Sequence, residues 1–480
     1  HGIHDFDTKA NQKSGKIFGA YMMMSPDLIV GDVNLLKQLL VKDFHIFTNR
    51  RTFRDKEDEY RELSYFDQII TVVNDDHWKK IRNVVTPAFT SGKLKSMIPL
   101  IAEAVDTMRE ILNEKIAENK PVEAKELFSG FTLDVITSVA FGTKVNSQKN
   151  PDDPLVVYAK KAMSFRFQDP KLIFALLFPW TARKLSEYLG IKIIFGDIED
   201  FFGNLLTKII ADRKKNPRPV PDFLQILLKA NEEYESHDLI TTGPIGDDQD
   251  PEAELIREAS KPQTKGKLTD FEVIAQCFLF LLAGFDTTAT TLTFLAYHMA
   301  VHPEIQERIR QEIIDACRNT GEITYDAVQH KIPLLEAAML ETMRIFPPAP
   351  RFDRLAKQDY ELDGIKIPKG AAVSVPVYTI QHSEENYPEP EKFRPERFLG
   401  EEKTSRNPYT FLSFGYGPRN CVGMRFATVE MRLCMAHLIR DYYIEPCNET
   451  EASFRIVVDA VQISSSPVLY TNTNHINEFT

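Results

Sequence analysis

Apolar residues in this chain recur mostly at three- and four-residue steps, the spacing of one helix face. The longest such stretch, 268–301, is apolar around most of its circumference, which predicts a buried helix. Thr269 and Glu272 make a capping-box pair at its start, and His302-Pro303 ends it. About 32 residues at about 1.5 Å each span roughly 48 Å, enough to cross a whole domain. Residues 98–142 carry two amphipathic patterns separated by NKPVEAKE and read as core helices. Residues 32–43 are also helical in pattern. So is the run after Cys421, with Val422, Phe426, Val429 and Leu433 at helical spacing. Within 15–31, two short apolar runs flank Ser25-Pro26-Asp27, which reads as a hairpin.

Two stretches break the pattern. Residues 164–200 hold Phe165, Phe167, Leu172, Phe174, Phe178 and Trp180, too many large apolar groups for an ordinary surface loop. They are either core or a pocket roof that dips into a membrane interface. Residues 232–267 are rich in Asp, Glu, Gly and Pro and read as a flexible loop, not a domain boundary.

The 480 residues are 43% hydrophobic and 26% charged, an ordinary globular composition, with no internal repeat. A net charge of −11 argues against general nucleic-acid binding. The five cysteines form no C-x-x-C pair and no C-x-x-C-H, which speaks against a zinc ribbon and covalent haem attachment. An odd, sparse set suggests a reducing compartment. No apolar run approaches the roughly 20 residues of a membrane span. The chain begins at His1, which reads as a trimmed start with a targeting or anchor segment removed.

Chemistry concentrates in two places. In the middle of the long helix stands Ala283-Gly284-Phe285-Asp286-Thr287-Thr288. Glycine weakens a helix, aspartate in an apolar helix needs a partner or water, and threonine can bond the carbonyl four residues back. Three unfavourable choices in five residues suggest a functional site, against the alternative of Asp286 as a helix salt bridge. The second place is FGYGPRNCVG, where glycines and a proline punctuate a tight loop and Cys421 feeds a helix N-terminus. Exposed amides there favour a thiolate. Elsewhere, Trp78 and Arg82 share a helix face and offer donors suited to a carboxylate. Glu341 and Arg344 are spaced to pair on a helix that Pro347 and Pro348 stop.

The spacing Phe414, Gly417, Arg419, Cys421, Gly423 resembles the haem-binding loop of the cytochromes P-450. The likeness runs along essentially the whole chain. It takes in the W-x-x-x-R of Trp78 and Arg82, the AGFDTT stretch, the E-x-x-R of Glu341 and Arg344, and FRPERF with Arg397. FTNRRTF and TPAFTSGKLK are similar to the animal family-3, microsomal, drug-metabolising type. The resemblance implies a mainly α fold with small peripheral β-sheets, one domain over 1–480, and haem b. Cys421 becomes the axial iron ligand, because a thiolate pushes electron density toward a bound O–O bond. Arg50, Trp78, Arg82, Arg354 and Arg419 become propionate partners, and Phe414 part of the haem loop. Thr287 and Asp286 become the oxygen-side alcohol and proton relay, and Glu341, Arg344 and Arg397 a structural lock. Phe53, Thr71, Phe165, Phe167, Leu282, Ala283 and Ala349 become pocket residues, hence lipophilic substrates such as steroids or xenobiotics.

The implied activity is monooxygenation on the cytosolic face of the endoplasmic reticulum membrane. The chain has no G-x-G-x-x-G fingerprint, so electrons come from a partner, NADPH–cytochrome reductase, with cytochrome b5 as a second candidate. Lys79, Lys80, Lys93, Lys95 and Arg425 form a docking patch in this reading. A haem-thiolate isomerase of peroxides and a non-catalytic haem protein are the alternatives; the intact acid–threonine pair argues against both.

Overall fold

The computed structural model describes the chain outside residues 1, 23–24, 52–63, most of 164–195, 217–221, 234–255, 257–265, 319, 448–449 and most of the stretch after 450. Helix α1 (Ile3–Ser14) leads into a hairpin of β1 (Ile17–Met22) and β2 (Ser25–Val30). Ser25, Pro26 and Asp27 pair with Met22, Tyr21 and Ala20, so they belong to β2 and are not the expected turn. Pro26 fits inside β2 because the next strand pairs only from Asp27 onward, leaving no ladder bond there for the missing amide.

Helix α2 (Val33–Lys37) runs on into a π-turn at Gln38–Lys42. Then come α3 (Asp75–Val85), α4 (Ser91–Ala117), β3 (Val122–Glu123) and α5 (Ala124–Phe141). The two amphipathic patterns of 98–142 are thus α4 and α5. Helices α6 (Pro154–Met163), α7 (Gly196–Lys215) and α8 (Phe223–Glu233) follow. The expected flexible loop at 232–267 lies largely outside the described residues.

The long helix is α9 (Asp270–Val301), 32 residues, with the Thr269–Glu272 capping box formed and His302 at its end. It is long and apolar enough to cross a membrane by composition, yet most of its apolar window is buried in the protein. Its hydroxyls are satisfied locally: Thr291 and Thr293 donate to the carbonyls of Thr287 and Ala289 at 2.9 and 2.7 Å. Helix α5, buried along most of its length, packs against it. At Gly284 a Cβ would come within 2.5 Å of Ile136 Cδ1 of α5, so this glycine serves helix packing.

Helices α10 (Pro303–Cys317), α11 (Tyr325–His330) and α12 (Pro333–Ile345) complete this side of the core. Strands β4 (Phe352–Leu355), β5 (Tyr360–Leu362), β6 (Ile365–Ile367) and β7 (Ala372–Val375) come next. The short helices α13 (Val377–Gln381) and α14 (Gly400–Ser405) precede the cysteine helix α15 (Met424–Asp441). Strands β8 (Tyr443–Pro446), β9 (Val458–Asp459), β10 (Gln462–Ile463) and β11 (Val468–Asn472) end the described chain. The sheets are small: β1-β2-β7-β4, β3-β11-β8, β5-β6 and β9-β10. The fold is mainly α with small sheets, as expected.

Candidate active site at the cysteine loop

Cys421 sits three residues before the start of α15, in a loop shaped by Gly417 at φ +77°. A Cβ on Gly417 would lie 2.1 Å from the carbonyl oxygen of Leu40, so only glycine fits. The Cys421 amide donates to the Phe414 carbonyl at 2.8 Å, which closes the loop. Solvent reaches the thiol. Even so, enough protein surrounds it that burial is the largest influence and pushes it above its ordinary value. The Gly423 amide, Arg82, Arg50 and the Met424 amide oppose this. The donors expected at a helix N-terminus are therefore in place but do not outweigh burial. A metal cation bound to the sulfur would take the place of the proton and favour the thiolate.

Four guanidiniums gather around this loop from four parts of the chain. Arg50 donates to the Arg419 carbonyl at 3.4 Å. Arg82, on α3, donates to the Asn420 carbonyl and Oδ1 at 2.8 and 2.7 Å. Arg419 donates to the carbonyls of Thr48 and Val73 and lies 5.0 Å over the ring of Trp78. Arg354, on β4, donates to the Asp353 carbonyl and lies 5.0 Å over the ring of Phe352. Among the described residues, none of the four makes an ion pair with a carboxylate, and Nε of Arg50, Arg354 and Arg419 is buried without an acceptor. Burial, aided by the positive charge of Arg50, lowers Arg354 to about 9. Burial is also the main cause that lowers Arg82 to about 10, with Cys421 working against it. Arg419 is pushed well down by burial and then by Arg50 and Arg354. Such a gathering is costly unless anions are brought to it. A flat ligand with two carboxylates and a metal for Cys421 fits this donor set, and haem b is such a ligand.

The neighbouring arginine behaves differently. Arg51 pairs with Asp27 at 3.0 Å and Asp353 at 3.6 Å, so Arg50 alone of the two faces the cluster.

On α9, Ala283 and Thr287 are exposed although most of that helix is buried, and Leu282 is half-buried. Thr287 donates to the Ala283 carbonyl at 2.6 Å. Asp286 lies 2.6 Å from Lys125 Nζ of α5, so the salt-bridge alternative weighed for it is present in the structure. Thr71 is exposed in a turn that Gln276 of α9 anchors, accepting from the Ile70 amide at 2.9 Å. Ala349 is exposed just beyond α12. Phe53, Phe165 and Phe167 lie outside the described residues.

The expected lock is formed. Glu341 is fully buried and accepts from Arg344 at 2.8 and 3.0 Å and from Arg397 at 3.2 Å. The basic patch is only partly assembled. Arg425 reaches Ser91 at the start of α4, near Lys93, and Lys95 pairs with Asp326. Lys80 instead turns to Glu272 of α9 at 3.2 Å, so it drops out of the patch. Asn420 and Lys125 escaped the sequence reading. Asn420 is an ordinary loop residue by type, and nothing in the local sequence marks Lys125 as the neighbour of α9.

A mainly helical fold with a cysteine loop beside four unpaired arginines fits a haem-thiolate protein. The family model for cytochrome P450 matches residues 1–245 and 247–461. The chain is 36% identical over 470 residues to cytochrome P450 3A31 of Mesocricetus auratus. It is 35% identical over 472 residues to cytochrome P450 3A2 of Rattus norvegicus, and 35% over 473 to cytochrome P450 3A29 of Sus scrofa. Each alignment covers 98% of this chain and 86% of the relative. The chain belongs to the cytochrome P450 family and is a haem b-dependent monooxygenase.

Proposed function

We propose that the protein inserts one oxygen atom of dioxygen into lipophilic small molecules, steroids and xenobiotics among them. Its electrons come from NADPH–cytochrome reductase at the endoplasmic reticulum membrane. The observation that carries the reading is the set of Arg50, Arg82, Arg354 and Arg419 beside Cys421, buried or half-buried cations that pair with no carboxylate among the described residues. Haem b bound here supplies dioxygen activation and transfer of one oxygen atom.

The chain's own residues do the rest. Cys421 offers its sulfur beside the Gly423 and Met424 amides, which favour negative charge on it. Arg50, Arg82, Arg354 and Arg419 would hold the two carboxylates of haem b. Thr287 presents a hydroxyl on the uncovered face of α9, and Asp286 moves protons toward it from solvent. Leu282, Ala283 and Ala349 offer small apolar walls, which suit lipophiles and exclude water. The exposed Ile173, Phe178 and Tyr188 support a membrane-facing surface in the phenylalanine-rich stretch. Lys93, Lys95 and Arg425, with Lys403 beside the cysteine loop, support an acidic redox partner on that side.

The test is reconstitution with the reductase, NADPH, a steroid such as testosterone and isotopically labelled dioxygen. One labelled oxygen in the product is expected, with a thiolate-type absorption band for the reduced carbon monoxide complex. Unlabelled product, or a band like that of imidazole-ligated globins in active enzyme, overturns the reading. Charge reversal at Lys93 and Lys95 is expected to slow reductase-driven turnover and weaken its salt dependence; unchanged turnover removes the docking face.

A further inference from the structure

A cavity of about 270 Å³ lies against the cysteine loop, between α12, α14 and the stretch 406–416. Its lining takes Phe414 and Asn420 from the loop, but neither Cys421 nor any of the four clustered arginines, so it is separate from the haem site. Leu340, Phe411, Tyr416 and Met424 give it apolar and aromatic walls. Its polar side holds three cations, Arg397, Lys403 and Arg406. Arg397 gives Nε to Glu341, and Nη2 to the carbonyls of Pro388 and Glu389 at 2.6 and 2.9 Å. Arg406 gives Nη2 to Glu402 at 2.8 Å and stacks 4.4 Å from the centre of the Tyr387 ring. In both arginines Nη1 is buried and has no acceptor. Lys403 is exposed. Glu336, the carboxylate of the lining, is engaged by Arg432 at 3.2 Å. A buried guanidinium N–H without an acceptor is costly, so two of them beside one apolar hollow mark a place that an anion completes.

We propose that this cavity binds a small organic anion with a flat apolar body, of the fused-ring carboxylate type. The rings lie against Leu340, Phe411 and Tyr416. The carboxylate accepts from the free N–H groups of Arg397 and Arg406, and Lys403 adds charge. An anion held here covers ground that Lys403 offers to an acidic redox partner, so the two exclude each other. The binding is independent of the proposed activity; the exclusion rests on the reductase being the partner.

The test titrates the full haem-loaded chain with naphthoate by calorimetry, in the presence of saturating testosterone to fill the substrate side. Naphthoate is expected to bind at one site. Neutral naphthamide should bind at least tenfold more weakly, the size of one hydrogen bond to a charged group. R406Q should bring the acid down to the level of the amide. K403Q changes an exposed side chain, should weaken the acid about threefold, and serves where R406Q loses haem. A photoreactive benzophenone carboxylate locates the site: labelled peptides should contain Leu340, Phe411 or Met424, and excess naphthoate should protect them. Naphthoate should also slow reduction of the protein by NADPH and reductase, while reduction by dithionite stays unchanged.

Equal affinity for naphthoate and naphthamide, or for wild type and both variants, overturns the site. So does labelling confined to peptides outside the lining. Binding that leaves reductase-driven reduction untouched overturns the exclusion. A reductase that fails to reduce the protein even without naphthoate counts against the proposed electron partner instead, and the titration and labelling then decide the site.

Discussion

Arg82 grips Asn420, the residue beside Cys421, with both terminal nitrogens: 2.8 Å to the carbonyl and 2.7 Å to Oδ1. The arginine is buried, so these bonds are shielded from water. A helix laid down early in the chain therefore sets the loop that carries the sulfur, besides adding its charge to the arginine cluster.

Arg82→Leu should loosen the loop and remove one cation together. Hydrogen bonds to a charged donor are worth about 1.5–3 kcal/mol each, so haem retention is expected to fall by more than tenfold. Asn420→Ala keeps the cation and one of the two bonds and should lose less. Haem transfer to an excess of apomyoglobin measures both. Equal loss in the two variants would mean that the Arg82 charge contributes nothing beyond its grip on the loop.

Glu341 collects Arg344, Arg397 and the Arg394 amide, the last at 3.0 Å, in a site closed to solvent. Glu341→Gln leaves two buried guanidiniums facing a neutral amide. Breaking a buried pair from one side costs roughly 3–5 kcal/mol, so the urea midpoint should drop sharply or soluble holoprotein should vanish. Normal stability of the variant would show that backbone carbonyls alone satisfy the two arginines.

Glu272 ties α9 to α3. Burial works against its charge, but the bond to His77, the Thr269 amide and Lys80 outweigh burial and hold it at about 2, against an ordinary 4.5. The folded value lies below the unfolded one. The stabilisation is therefore complete above about 4.5 and is lost as the pH falls through about 2, a contribution of roughly 3 kcal/mol. Denaturant unfolding of wild type and Glu272→Gln should show a gap at neutral pH that narrows toward pH ~2. A gap independent of pH would assign it to helix capping alone.

Two glycines should respond differently to alanine. At Gly417 the added carbon meets a backbone carbonyl at 2.1 Å and the φ of +77° is strained for any L side chain. At Gly284 it meets the end of the Ile136 side chain, which can move. Gly417→Ala should lose haem-loaded protein altogether. Gly284→Ala should cost about 1–3 kcal/mol of stability, part of it recovered by Ile136→Val. Thermal unfolding of the four proteins separates the cases, and equal losses at both glycines would contradict it.

Local signals, a capping pair and a helical period, were enough for the helical class and for the ends of α9 to within two residues. The Glu341 lock and the cysteine loop were legible through the resemblance carried by the order of motifs, and the lock's ion pairs are present in the fold. The hairpin turn was misplaced because Pro26 looks like a turn residue until the partner strands show which of its edges needs an amide. Arg50 and Arg51 are indistinguishable by type, and only the position of Asp27 and Asp353 separates them. Lys125 is one more lysine at a helix start until α5 is packed on α9. Helical periods and caps follow from neighbours in sequence, so the sequence alone determined the long helices, while strand pairing placed the hairpin turn. Which charges meet depends on close packing between distant segments, and electrostatic partnership changes over a few ångströms, so the tertiary structure alone decided how the cations are arranged around the sulfur and which lysine meets Asp286.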